Sequence, residues 1–193
     1  MQQEILANIR RLESERARVI VAIDGPGGAG KSSLARELVK VFGPSSLHIE
    51  FDWFYLPVAL QNKDERYDTE RFITQVVTPF RNGADCLQFE KYNWGYLADK
   101  EERLEPDSLA LEGVTILVVE GSHTLCHGAC NSFDLRIYID MDPEKAHRRG
   151  VHRDIEEYGL DSARVYEVWR QWKEWEERRL QLDDRRKYAD III

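Results

Sequence analysis

Cysteine is scarce in this chain of 193 residues. Cys86, Cys126 and Cys130 are sparse and odd in number, which excludes a disulfide framework and suits a reducing, cytoplasmic setting. Long apolar runs are missing as well. No stretch approaches the length of about 18 apolar residues that a membrane-spanning helix needs, and the first residues are polar and charged, unlike a secretory leader. Positive charge is outweighed: 27 Lys and Arg against 35 Asp and Glu give a net charge of −8 and a pI near 5.2. An acidic balance argues against a dedicated nucleic-acid binder, whose affinity comes from phosphate contacts. Internal repeats and low-complexity linkers are also absent. What remains is a globular composition, 42% hydrophobic and 32% charged, in a chain long enough for one domain with a sizeable core.

The most informative stretch is Val19–Ser33, VIVAIDGPGGAGKSS. A short apolar run meets Gly25-Pro26-Gly27-Gly28-Ala29-Gly30-Lys31-Ser32, and a helical pattern follows. This is the G-x-x-x-x-G-K-[ST] loop between a buried strand and a helix. Glycines permit positive φ and close approach, so consecutive N–H groups can face phosphate oxygens. The helix opening near Lys31 adds its N-terminal partial charge. Lys31 is placed to reach the β- and γ-phosphates and Ser32 to ligate Mg²⁺. Gly25, Gly27, Gly28, Ala29, Gly30, Lys31, Ser32 and Ser33 therefore form a predicted nucleoside-triphosphate site, with ATP and Mg²⁺ as its ligands.

Around the loop the pattern alternates. Residues 2–17 carry Ile5, Leu6, Ile9 and Leu12 at helical spacing, and a helix is expected over 31–42, stopped at Gly43-Pro44. Strands are expected at 19–24, 47–51, 114–119, 135–140 and 188–193, and helices at 70–80, from Pro143, and over 162–182. Residues 98–108 read as a charged loop. Strands alternating with helices predict an α/β fold: a doubly wound parallel sheet of about five strands with helices on both faces.

The charged positions beyond the loop bear on chemistry. Glu120 ends an apolar strand, on the rim where open α/β sheets bind ligands, and is the expected second Mg²⁺ carboxylate. Asp52 ends another strand and is the expected general base for an acceptor hydroxyl, and with Ser32 and Glu120 an expected metal ligand. Arg148-Arg149-x-x-x-Arg153 after the fourth strand suits a lid, over about 143–160, closing on transferring phosphate; the bland alternative is a solvated helix face. His123-x-x-Cys126-His127-x-x-Cys130 is too compressed for an ordinary zinc site, so His123 is read as an acceptor-site or loop residue. Trp169, Trp172 and Trp175 recur with a helical period and are read as a packing face. A triphosphate loop alone serves a kinase or a switch ATPase equally. The aromatic segment 89–96 and the arginines favour a closed pocket for a small hydroxyl-bearing acceptor.

The order of these pieces resembles the uridine kinase / phosphoribulokinase-like family of P-loop kinases. The matching segments are Gly25–Ser33, Asp52-x-Phe54-Tyr55, Tyr92-x-Trp94, Glu120-Gly121, Arg149-x-x-x-Arg153-Asp154 and Tyr188-Ala189-Asp190-Ile191-Ile192. The resemblance implies that Asp52 is the base, that Tyr55, Tyr92 and Trp94 hold the acceptor, and that Arg153 grips phosphate; Lys31, Arg149 and Arg153 are then expected to stabilise the in-line transfer. It also implies a uridine- or nucleoside-like acceptor. The chain departs from uridine kinases at Asn93, where they carry Asp, at Leu97, where they carry a base-reading His, and at Gly150, where a lid arginine is expected. The segment Ala22–Pro26 also resembles the start of cytidylate kinases, but the downstream pattern does not follow that family.

Overall fold

A computed structural model describes residues 2–62, 64–94, 101 and 103–193. The run VIVAID forms β1 (Val19–Asp24), and all six of its residues are buried. A strand this apolar on both faces must have neighbours on both sides and helices above and below. It pairs in parallel with β5 (Ile116–Glu120) on one side and β6 (Leu135–Tyr138) on the other. β2 (Ser46–Glu50) adds to β5 and the two-residue β7 (Ile191–Ile192) to β6, giving the order β2-β5-β1-β6-β7, all parallel. This is the five-stranded sheet the alternating pattern predicts. The last strand is shorter than expected, because Arg185–Tyr188 turns as a 3₁₀ helix before the chain joins the sheet.

Alternation along β1 sends its side chains to two cores. Val19, Val21 and Ile23 face α1 (Gln2–Glu15) and α2 (Lys31–Phe42) through Ile5, Ile9, Leu12, Ala35 and Leu38. Ile20 and Ala22 face the opposite core, with Phe51, Phe72, Phe80 and Phe133. Phe72 and Phe80 come from a helical stretch built of α3 (Thr69–Phe72), a π turn over Ile73–Val77, and α4 (Thr78–Arg81). The two remaining helices, α5 (Pro143–Glu156) and α6 (Ser162–Leu182), pack on each other through Val151, Val165 and Trp169.

One expectation fails. Overlapping the stretch expected as a charged loop, Leu104–Ala110 forms β4, antiparallel to β3 (Cys86–Tyr92) in a separate two-stranded sheet. β4 lies at the periphery and buries none of its residues fully, so it lacks the apolar alternation that marks a strand in sequence. Residues 95–100, among them Tyr96 and Leu97, lie outside the described residues.

Candidate active site

In-register pairing aligns the carboxyl ends of the central strands: Ile23 lies opposite Glu120, and Glu50 lies opposite it on the other side. The phosphate loop leaves β1 at this edge and enters α2 at Gly30, whose φ of 100° is left-handed. Lys31 is buried and folds back into the loop. Its Nζ donates to the carbonyls of Gly25 (3.0 Å) and Pro26 (2.9 Å) and to Ser122 Oγ (3.1 Å). Glu176 on α6 lies against the loop at Gly27, so an acidic side chain, its carboxyl raised by burial, rests on a loop built for anions.

Two carboxylates meet beside the lysine. β2 ends in a 3₁₀ turn, Phe51–Phe54, which swings Asp52 over the sheet edge towards Glu120. Burial and the Glu120 charge push the Asp52 carboxyl up to about 7, against the pull of Lys31 and a hydrogen bond from Tyr67. Glu120 behaves oppositely. Burial raises it, but the His48 imidazole, with Nε2 3.5 Å away, the Ser32 hydroxyl and the charge of Lys31 bring it below the ordinary carboxylate value. Neighbouring carboxylates with pKa values pushed apart have divided roles: one fixed as an anion, the other able to take and release a proton near neutrality.

The structure also collects the aromatic residues. Tyr55, almost fully buried, lies with its ring centroid 4.6 Å from Trp94 and 5.6 Å from Tyr92. Trp94 has a positive φ of 52°. Trp172 of α6 sits edge-on to Trp94 at 5.8 Å, and Trp175 lies 5.1 Å from His123. The tryptophan period of α6 is therefore a packing face, as the sequence implies, and it packs across the site. His123 is buried with a positive φ of 80°. Its Nδ1 accepts from Arg185 at 3.2 Å, and burial together with Arg185 and Arg179 holds its pKa well below the usual value, so the ring is neutral.

The arginines of α5 diverge. A Cβ built on Gly28, whose φ is +83°, would lie 2.1 Å from the Ala146 carbonyl oxygen, so α5 runs directly against the loop. Arg149 reaches it, with Nη2 4.0 Å from the Cβ position of Gly30. Arg153 turns instead to Asp154 (2.6 Å) and lies over the Tyr158 ring. Gly150 has a steric reason: a Cβ there would meet the Trp169 ring at 2.0 Å, and Trp169 is anchored by Nε1 donating to Asp154 Oδ2 at 2.7 Å. An arginine at 150 has no room. Gly150→Ala is accordingly expected to cost about 1–3 kcal/mol through overpacking, read as a lowered Tm.

Three site residues escape sequence reading. Asp24 is fully buried, and its carboxylate accepts from the N–H groups of Gly25 (2.6 Å), His123 (3.1 Å) and Leu125 (2.7 Å). It also pairs with the fully buried Arg185 at 3.0 Å. Tyr67 donates to Asp52 Oδ1 at 2.9 Å. An Asp preceding the loop is a visible signal. Its arginine, 161 positions away, is not.

The donors fit a hard cation. Ser32, Glu120 and Asp52 offer oxygen only, and Glu120 raises Asp52 through a repulsion that a bound cation would relieve. Among the described residues no group of three or more His, Cys, Asp or Glu side chains gathers to hold a metal. Mg²⁺ needs no such cage, since it is commonly held by one or two carboxylates plus substrate phosphates. Cys126 and Cys130 are free thiols.

A phosphate loop at the carboxyl edge of a five-stranded parallel sheet, with paired carboxylates beside its lysine, defines the class of P-loop phosphotransferases. The family model "Phosphoribulokinase / Uridine kinase family" matches residues 20–193, and the chain belongs to that family. It is similar to the uridine kinase of Geobacillus sp. strain WCH70, 27% identical over 187 residues that cover 91% of this chain and 85% of the relative. The uridine kinase of Limosilactobacillus reuteri is 26% identical, covering 94% and 85% respectively. In fold it is similar to D-glycerate 3-kinase from Cryptococcus neoformans var. grubii, with a TM-score of 0.66 at 13% identity over 91% of this chain and 86% of that one. Among the described residues no helix is long and apolar enough to cross a membrane.

Proposed function

We propose that this protein transfers the γ-phosphate of ATP to a hydroxyl of uridine or a similar nucleoside, with Asp52 as general base. The split between the two carboxylates, Asp52 poised near 7 and Glu120 held as an anion, carries this reading. The uridine kinases to which the chain is similar support the acceptor, and the cluster of Tyr55, Tyr92 and Trp94 supplies aromatic faces for a base. His123, buried and held neutral, connects to that cluster through the Tyr67 ring, which contacts both His123 and Tyr55. The acceptor oxygen forms its bond to the γ-phosphorus as the bond to the β–γ bridging oxygen breaks. The hydroxyl proton passes to Asp52, ADP departs, and Lys31, Arg149 and Arg153 stabilise the phosphoryl charge from the loop and α5.

Ser32, Glu120 and Asp52 would hold Mg²⁺, which supplies charge neutralisation of the phosphates when bound. Residues 143–160 act as the lid of a single domain, and Arg153 leaves Asp154 for phosphate when the lid engages substrate. The free cysteines support a cytoplasmic setting.

A screen of nucleosides, sugar phosphates and other small alcohols for acceptor-dependent ADP release tests the reading. Uridine is expected to stimulate release several-fold. Hydrolysis that no acceptor stimulates would replace the kinase with a switch ATPase. A pH effect follows from the same residue. Asp52 is a base only when ionised, so kcat/KM is expected to rise with pH towards about 7 and then level off, with the rise moved to lower pH where bound Mg²⁺ relieves the Glu120 repulsion. Activity that falls as pH rises from about 5 to about 7 would contradict the assignment.

A further inference from the structure

The loop of residues 57–66 leaves and returns at one point. Leu56 N–H donates to the Arg66 carbonyl at 2.8 Å, Asp68 N–H to the Phe54 carbonyl at 2.8 Å, and Tyr55 bridges Tyr67 in antiparallel fashion. This closure plants Tyr67 beside the 3₁₀ turn that carries Asp52. The Tyr67 ring has little freedom there. It stacks on Phe51 (5.1 Å between centroids, 23° between planes) and on His123 (5.8 Å, 27°), and meets Tyr55 edge-on at 5.1 Å. Its hydroxyl is thereby aimed at Asp52 Oδ1, 2.9 Å away. Burial and the nearby Asp52 carboxylate hold the phenol well above its usual pKa, so it is a permanent donor.

We propose that Tyr67 is a positioning residue for phosphoryl transfer: it holds Oδ1 of Asp52 and so presents Oδ2 to the acceptor hydroxyl. A carboxylate has two oxygens and a free rotation, and only one orientation brings a lone pair to the acceptor's proton. Among the described residues, Tyr67 is the side chain that donates to Asp52. Lys31, the neighbouring cation, is already engaged with the loop carbonyls and Ser122. A buried tyrosine hydroxyl needs some partner in any fold, so its pairing alone does not distinguish a functional role from simple satisfaction. The distinction lies in coupling. A structural hydroxyl affects activity independently of Asp52, whereas a positioning hydroxyl acts only through it.

The inference rests on Asp52 being the base, and a double-mutant cycle tests the two separately. Tyr67→Phe keeps the ring stack and removes the donor. It is expected to lower kcat about 10- to 100-fold, the span of a hydrogen bond to a charged group, with KM for ATP unchanged. In an Asp52→Asn background the same change is expected to lower kcat no further. Incorporation of 3-fluorotyrosine at position 67, which restores the donor, is expected to recover activity. If Asp52→Asn alone is harmless, the base assignment fails. If Asp52→Asn is severe but Tyr67→Phe is neutral, or lowers kcat by the same factor in both backgrounds, the base stands and the role of Tyr67 is overturned.

Discussion

Asp52→Asn is expected to lower kcat for phosphoryl transfer by about 10²–10⁴-fold, the range that a positioned general base contributes, while ATP binding stays nearly intact. The asymmetry follows from the site. Asp52 faces Glu120 and Tyr67, whereas in the proposed reading the backbone N–H groups and Lys31 of the loop take up the nucleotide. The substitution is nearly isosteric and removes a charge that burial and Glu120 already oppose, so the fold is not expected to suffer. Single-turnover measurement of transfer, beside equilibrium binding of ATP, checks both halves. Turnover within a few-fold of the natural protein would remove Asp52 from the base role.

The second large effect concerns stability. Asp24→Ala is expected to cost about 3–5 kcal/mol, because it leaves the Arg185 guanidinium buried without its main anion. Glu176 lies 3.5 Å from Arg185 and offsets part of the loss, but three backbone N–H groups lose their acceptor as well. Arg185→Met is expected to cost less, since Asp24 keeps those three donors. Urea denaturation of the two variants checks the order of their midpoints. A smaller loss for Asp24→Ala than for Arg185→Met would contradict this account of the network.

How much of this was legible in the sequence depends on the distance between partners. β1 and α2 begin and end where the apolar run, the loop and Gly43-Pro44 place them, since each boundary is marked locally. That Asp52 and Glu120 come together is legible because carboxylates ending apolar strands land on the carboxyl edge of a parallel sheet. The Asp24–Arg185 pair and the Tyr67–Asp52 bond were not found. Each joins segments that only the finished fold brings together, and neither leaves a periodic trace. β4 was missed for a different reason: its side chains face mostly solvent, so no hydrophobic alternation was there to read. Gly150 stood out in sequence only as an absent arginine, and its cause, the Trp169 ring, comes from another helix.

The phosphate loop by itself specifies binding of a triphosphate. In the proposed reading the paired carboxylates, the aromatic cluster and α5 against the loop turn that binding into transfer to a hydroxyl. The most direct test is to follow ADP, phosphorylated uridine and inorganic phosphate together, with ATP, Mg²⁺ and uridine present and then with uridine withheld. The expected result is ADP and phosphorylated uridine in equal amounts, with little inorganic phosphate when uridine is absent. Inorganic phosphate forming at the same rate whether or not uridine or any other acceptor is present would contradict it.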